Sequence, residues 1–270
     1  MRPKVILLVP AGRKKCLKIL VPHLVAAKSQ FDYCEFWMNA TWDEEDEKYV
    51  KEVVRRYPDI FLIKDDRKWE VKGNFSSHYG RYYHTLAKDN TIYIKMDDDM
   101  VWMTPDAIDS LVAARIENPK PLIVIPNIIN NTFCNVKHQE LGIYSDAFIL
   151  NRTCHCPTGH YSDDFVMEAH TKFLEAIKNN TTDQYKFEDC TTFGIRTPNH
   201  VFAFFGSDMI WGPDDDESVI TQGLATEDRP ILVIGYPIFS HLAYTPQITF
   251  VHRTNILTEY KKLCPKNSES

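Results

Sequence analysis

Three consecutive carboxylates, Asp97-Asp98-Asp99, follow the apolar run Ile92-Tyr93-Ile94-Lys95-Met96. Like charges this close repel unless a cation or solvent relieves them. Oxygen ligands select a hard divalent ion, Mn²⁺ or Mg²⁺, which takes one or two carboxylates and fills its shell with water and substrate phosphates. A solvated acidic turn is the plain alternative, and the apolar strand leading into the triplet weighs against it. A second acidic run, Asp214-Asp215-Asp216-Glu217, stands after Trp211-Gly212-Pro213 and opens an amphipathic stretch with Val219, Ile220 and Leu224. Capping a helix N-terminus accounts for one of these acids. Another can act as general base toward an incoming hydroxyl. His241, in Phe239-Ser240-His241-Leu242-Ala243-Tyr244, taken alone reads as a satisfied structural histidine. Cys154-His155-Cys156 has no second ligand pair at zinc-site spacing.

The elements that must position these groups alternate. Residues 5–9 are a continuous apolar run ending at Pro10-Ala11-Gly12, the pattern of a strand buried on both faces. Leu17, Leu20, Val21, Leu24 and Val25 then recur at helical spacing, with Pro22 as a kink or boundary. Further strands are expected at 34–38, 59–64, 91–96, 122–126, 201–205 and 231–234. A helix capped by Thr41 has an acidic first turn, Asp43 to Glu47, and a basic end at Arg55 and Arg56, matching the helix dipole. Weaker helical patterns cover 75–87, 164–178 and 215–224. Such alternation implies an α/β fold with a mainly parallel central sheet flanked by helices. Residues 127–199 are polar and irregular and read as an insertion over one sheet edge, within a single domain spanning 1–265 and followed by a disordered tail at 266–270. In open α/β sheets ligands bind at the carboxyl ends of strands, which is where the first triplet falls.

Composition narrows the partners. A chain of 270 residues, 44% hydrophobic and 25% charged, is ordinary for a globular domain. A formal charge of -6 argues against a nucleic-acid partner. The short basic cluster Arg13, Lys14, Lys15, Lys18 reads as solvated helix surface. No apolar run is long enough for a membrane span, and the N-terminal run is too short for a secretory signal. Seven scattered cysteines, an odd number, fit reduced thiols in the cytoplasm, where the six Asn-x-Ser/Thr sequons carry no meaning.

The ordered set now resembles a known family. A first strand ending in Pro10, Asp66 closing the third strand, and a strand running into Asp97-Asp98-Asp99 resemble the GT-A (Rossmann-like) fold of nucleotide-sugar glycosyltransferases and their Asp-x-Asp motif. The segment from Phe205 through Trp211-Gly212-Pro213 to Asp216 is similar to the tryptophan–glycine–acidic segment of β-1,4-galactosyltransferase-type enzymes, without the doubled tryptophan–glycine. The resemblance spans roughly 5–244 and leaves 127–199 unmatched. It implies a metal-dependent hexosyl- or pentosyltransferase that moves a sugar from a nucleotide-diphosphate donor, UDP-linked in preference to GDP-linked, to a hydroxyl of a glycan or glycoconjugate. Residues 1–100 would form the nucleotide-binding half and 101–265 the acceptor-binding half. Asp99 would bind Mn²⁺ (or Mg²⁺), with His241 completing the shell. Asp97 would contact the ribose or a metal-bound water, with Asp98 a substitute. Asp66 would meet the uracil edge, Pro10, Ala11 and Gly12 the nucleoside, and Arg81 or Lys95 the diphosphate. Asp216 or Asp215 would be the base of an inverting reaction. Lack of an anchor helix implies a cytosolic bacterial or viral type. A sugar nucleotidyltransferase is disfavoured by the single glycine after the first strand, and a non-catalytic sugar-binding module is the alternative of another class.

Overall fold

The computed structural model describes residues 2–38, 43–65, 83, 85–87, 89–153, 156–197, 200–208 and 219–266. Nine strands form one sheet: β1 (Val5–Pro10), β2 (Tyr33–Trp37), β3 (Phe61–Lys64), β4 (Ile92–Met96), β5 (Met100–Met103), β6 (Ile123–Ile129), β7 (Cys190–Thr192), β8 (Val201–Phe205) and β9 (Ile231–His241). Their order is β3-β2-β1-β4-β8-β6-β9-β5, with β7 also paired to β9. Around the sheet lie α1 (Lys14–Ala26), α2 (Glu44–Arg56), α3 (Ala107–Glu117), α4 (Thr132–Glu140), α5 (Pro157–Tyr161), α6 (Asp163–Lys178), α7 (Ile248–Val251) and α8 (Ile256–Lys262).

β3, β2, β1 and β4 run parallel, as the strand–helix alternation implies. β8 then pairs antiparallel with both β4 and β6, and β5 and β7 pair antiparallel with β9. The sheet is therefore mixed. An apolar run buried on both faces reads the same in either direction, so hydropathy marks the strands without their polarity.

α2 is capped by Asp43, whose side chain accepts from the Asp46 N–H, so the cap is Asp43 and not Thr41. In its described residues, the stretch 127–199 is more ordered than its composition suggests. It continues β6 to Ile129 and supplies α4, α5, α6 and β7. Its apolar side chains, among them Tyr144, Phe165, Phe173 and Tyr185, join Val101, Ile238, Leu242 and Tyr260 in a second hydrophobic cluster beside the main core. Many of its polar side chains face inward: Asn127, Asn130, Asn131, Thr132 and His138 are all buried. Asn127 shows why this is tolerated. Its amide donates to the carbonyls of Tyr185 at 2.8 Å and Gly235 at 3.1 Å, and its Oδ1 lies 2.8 Å from His138 Nε2.

β9 is the longest strand and was expected to stop at Ile234. It instead bulges and resumes: Ile125 pairs with Val233 and Asn127 with Ile238, so β9 spends three more residues than β6 there. Gly235 sits in this bulge, where an added Cβ would lie 1.7 Å from the Phe187 carbonyl oxygen. Gly235→Ala should therefore cost about 3 kcal/mol through forced backbone displacement. The denaturation midpoint should fall with an unchanged slope, and an unchanged midpoint would contradict this close approach.

Candidate functional site

The end of β4, the start of β5 and the end of β9 bring the first acidic triplet and His241 together. Met100 stands opposite His241 across the β5–β9 ladder, and the Leu242 N–H donates to the Asp99 carbonyl at 3.0 Å. His241 Nε2 lies 3.3 Å from Asp99 Oδ2, with both side chains nearly fully buried.

Asn130 sets the imidazole. It ends β6 in the left-handed region at φ 58°, a conformation asparagine adopts more readily than most residues. Its carbonyl lies 3.1 Å from His241 Nδ1, a contact that requires Nδ1 to carry a proton. Nε2 is then the ring nitrogen that faces Asp99 Oδ2, an approach that a proton or a cation between them makes favourable. Next to Asn130, Asn131 caps α4 by accepting from the Phe133 and Cys134 N–H groups, and its Nδ2 lies 3.3 Å from His200 Nδ1. The His200 ring stacks on His241 with centroids 3.7 Å apart and planes 15° from parallel. Burial, and then the neighbouring His241, push the His200 imidazole well below its usual range, so it stays neutral.

The three aspartates have separate partners. Asp97 Oδ1 pairs with Lys95 Nζ at 2.6 Å. Asp98 Oδ2 accepts from the Gly12 and Arg13 N–H groups, each at 2.7 Å, and Oδ1 accepts from Arg13 Nε at 2.6 Å with Nη2 also in contact. Asp99 Oδ2 accepts from Arg13 Nη1 at 2.7 Å, while its buried Oδ1 has no hydrogen-bond partner. Burial by itself raises the Asp99 carboxyl, but Arg13 and His241 outweigh it and hold this group well below the usual carboxylate range. Burial pushes Asp98 up instead, against Arg13.

Several expectations are thereby placed. Asp99 and His241 meet. Asp97 is turned to Lys95, which is itself buried and engaged with that acid in place of a free approach to phosphate. Gly12 borders the triplet through its N–H, directly after the buried Pro10 and Ala11. Arg13 was read as solvated helix surface and is in fact inserted onto Asp98 and Asp99. Composition cannot separate Arg13, the residue just before α1, from its exposed basic neighbours when the acids it meets are 85 and 86 positions away. His200 and the pair Asn130-Asn131 escaped the sequence reading too, their only signal being that they flank strands ending at the same side of the sheet. Asp66, Arg81, Asp215 and Asp216 lie outside the described residues. Asp208, just before that last segment, is clamped by Arg115 at 3.2 Å and Arg229 at 2.9 Å.

Among the described residues no three His, Cys, Asp or Glu side chains converge as a ready-made metal cage. The residues nonetheless fit a divalent ion. A buried carboxylate oxygen without a partner and an imidazole nitrogen facing the same carboxylate form a donor set suited to Mn²⁺ or Mg²⁺. Beside them opens a cavity of about 400 Å³ lined by Gly12, Arg13, Lys14, Lys15, Cys16, Asp46, Thr245, Ile248 and His252.

No protein-family model and no curated protein sequence matches the chain. Its structure is similar to that of the mannosyltransferase PcManGT from Pyrobaculum calidifontis, solved with GDP-Man and Mn²⁺, at a TM-score of 0.54 and 13% identity, covering 99% of this chain and 66% of that one. It is also similar to GalNAc-T7, solved with UDP, GalNAc and Mn²⁺, at a TM-score of 0.52 and 8% identity, covering 91% of this chain and 44% of that one. The chain thus spans less than two thirds of the length of either. At such identities the likeness establishes the fold: a central mixed sheet flanked by helices, of GT-A type.

Proposed function

We propose that this chain is a metal-dependent, inverting glycosyltransferase that moves a sugar from a nucleotide-diphosphate donor, a UDP-sugar in preference to a GDP-sugar, to a hydroxyl of a glycan or glycoconjugate. The observation that carries the reading is the buried Asp99–His241 pair with its unpartnered Asp99 Oδ1, at the strand ends where an open α/β sheet binds its ligands. The nucleotide sugar, nucleotide and Mn²⁺ bound in the two similar structures support it.

In this proposal Asp99 and His241 hold the ion, which when bound supplies positive charge against the leaving nucleotide diphosphate. Asn130 keeps His241 in the tautomer that offers Nε2. Pro10, Ala11 and Gly12 line the nucleoside and Asp66 meets the base edge. Asp97 contacts the ribose or a metal-bound water, and Arg81 is a candidate for the phosphates. Asp216, or its neighbour Asp215, takes the proton of the acceptor hydroxyl as that oxygen attacks the anomeric carbon from the face opposite the leaving group. Residues 1–100 serve the donor and 101–265 the acceptor. A cytoplasmic site of action belongs to the same proposal, supported by free thiols at the six described cysteines. No helix among the described residues is long and apolar enough to cross a membrane.

A panel of UDP- and GDP-sugars screened with Mn²⁺ by thermal shift and donor hydrolysis tests this. A ligand at 100 times its dissociation constant stabilises by about 2.7 kcal/mol, a readable shift. The expected result is a Mn²⁺-dependent shift with one nucleotide class together with slow hydrolysis of one of its sugars. Stabilisation without any turnover would point to a binding module, and no shift with any member would sink the donor assignment.

A further inference from the structure

One side chain, Arg13, grips two carboxylates, and its two contacts are unequal. Toward Asp98 it uses Nε at 2.6 Å together with Nη2, and Asp98 keeps two backbone N–H donors, at 2.7 Å each, on its other oxygen. That end of the grip is anchored by the turn between β1 and α1. Toward Asp99 it offers Nη1 alone, at 2.7 Å on Oδ2. This is the oxygen that His241 Nε2 faces at 3.3 Å, and the second oxygen of Asp99 has no partner. The Arg13 side chain is 37% exposed, against 2% for each aspartate, so it enters the site from the solvent side.

A divalent ion coordinated by Asp99 Oδ2 and His241 Nε2 would stand within contact distance of Nη1. Two cations cannot share one carboxylate oxygen in a buried, weakly screened site without strong repulsion. We propose that Arg13 is a tethered counter-ion of the metal-free site, and that a divalent ion binds by displacing its Nη1 from Asp99 while Nε and Nη2 stay on Asp98. The inference rests on the metal reading above and adds a positioning residue to it: Arg13 holds the Asp99 carboxylate in place until the ion arrives, at the cost of weaker ion binding. The released Nη1 then borders the cavity lined by Lys15 and His252, which gives an anionic ligand there a donor that the metal-free protein withholds.

The test uses the full chain and Mn²⁺ alone, with free Mn²⁺ read by electron paramagnetic resonance and melting temperatures taken with and without the ion. Arg13→Gln should bind Mn²⁺ about tenfold more tightly than the parent, the size of an ordinary coupling between competing ligands. Its melting temperature should fall without metal and recover with saturating Mn²⁺, a rescue that loss of a purely structural contact would not show. Arg13→Lys serves if the glutamine variant does not fold. A single ammonium cannot span both aspartates, so Mn²⁺ affinity should rise here too. Unchanged or weaker Mn²⁺ binding in folded variants of a parent that binds Mn²⁺ overturns the displacement while leaving the metal reading intact. Failure of the parent and both variants to bind Mn²⁺ overturns both.

Discussion

Replacing Asp99 by alanine should abolish the Mn²⁺ dependence of nucleotide binding and reduce sugar transfer by ~10³-fold or more, since a metal's charge stabilisation is worth several kcal/mol. Calorimetry with UDP in EDTA and in Mn²⁺ reads the first effect, and a transfer assay the second. The fold should survive the change, because Arg13 keeps its contacts to Asp98 when Asp99 is lost. A preserved cooperative melt in Asp99→Ala confirms that the lost activity is local. His241→Ala should weaken the metal effect less, since a carboxylate and substrate phosphates still ligate the ion. Parental UDP affinity that is equal with and without Mn²⁺ would remove the basis for assigning Asp99 to a metal.

The second large effect belongs to the segment after Trp211. Asp216→Asn preserves shape and hydrogen bonding but cannot accept a proton, and loss of a general base costs on the order of 10² to 10⁴ in rate. Nucleotide affinity should hardly move, because this carboxylate is proposed to face the acceptor. Asp215→Asn is the companion variant, and the one of the two that loses turnover while still binding nucleotide is the base. Parental transfer rates in both would leave these acids as a helix cap. Loss of nucleotide binding in both would move them to the donor side. The clamp of Arg115 and Arg229 on Asp208 fixes where the chain enters this segment.

Much of the fold was legible because central strands are apolar on both faces and end in conspicuous residues. Val5–Pro10, Ile92–Met96 and Val201–Phe205 were located within a residue or so by that signal. Strand direction was not, because burial on both faces carries no arrow. The second half of β9 was lost to a Tyr236-Pro237 sequence that reads as a turn and is in fact a bulge within a continuing strand. The stretch 127–199 looked irregular because its interior is lined with asparagine, threonine and histidine, which hydropathy counts as surface. In the site, Asp99 and His241 could be paired through a resemblance, since both follow recognisable strands. Arg13 could not, because nothing in the order of residues says which of four neighbouring basic side chains turns inward. Asn130 stood out only as one of six Asn-x-Ser/Thr sequons, and its role depends on a backbone angle.

The pairing of Asp99 with His241 depends on strand register and not on how much chain separates them. Met100 lies opposite His241, and both acid and imidazole are delivered by the neighbouring ends of β5 and β9. Insertions or deletions in exposed connections such as 226–228 should leave that meeting untouched, because they only return the chain to the sheet. One residue added within 97–103 or 238–241 would send a ligand to the opposite face, since side chains alternate along a strand. Kinship among such chains is then better sought with two short, rigid strings joined by a gap of open length than with any pattern of fixed span. Natural variation in overall size should concentrate in that gap.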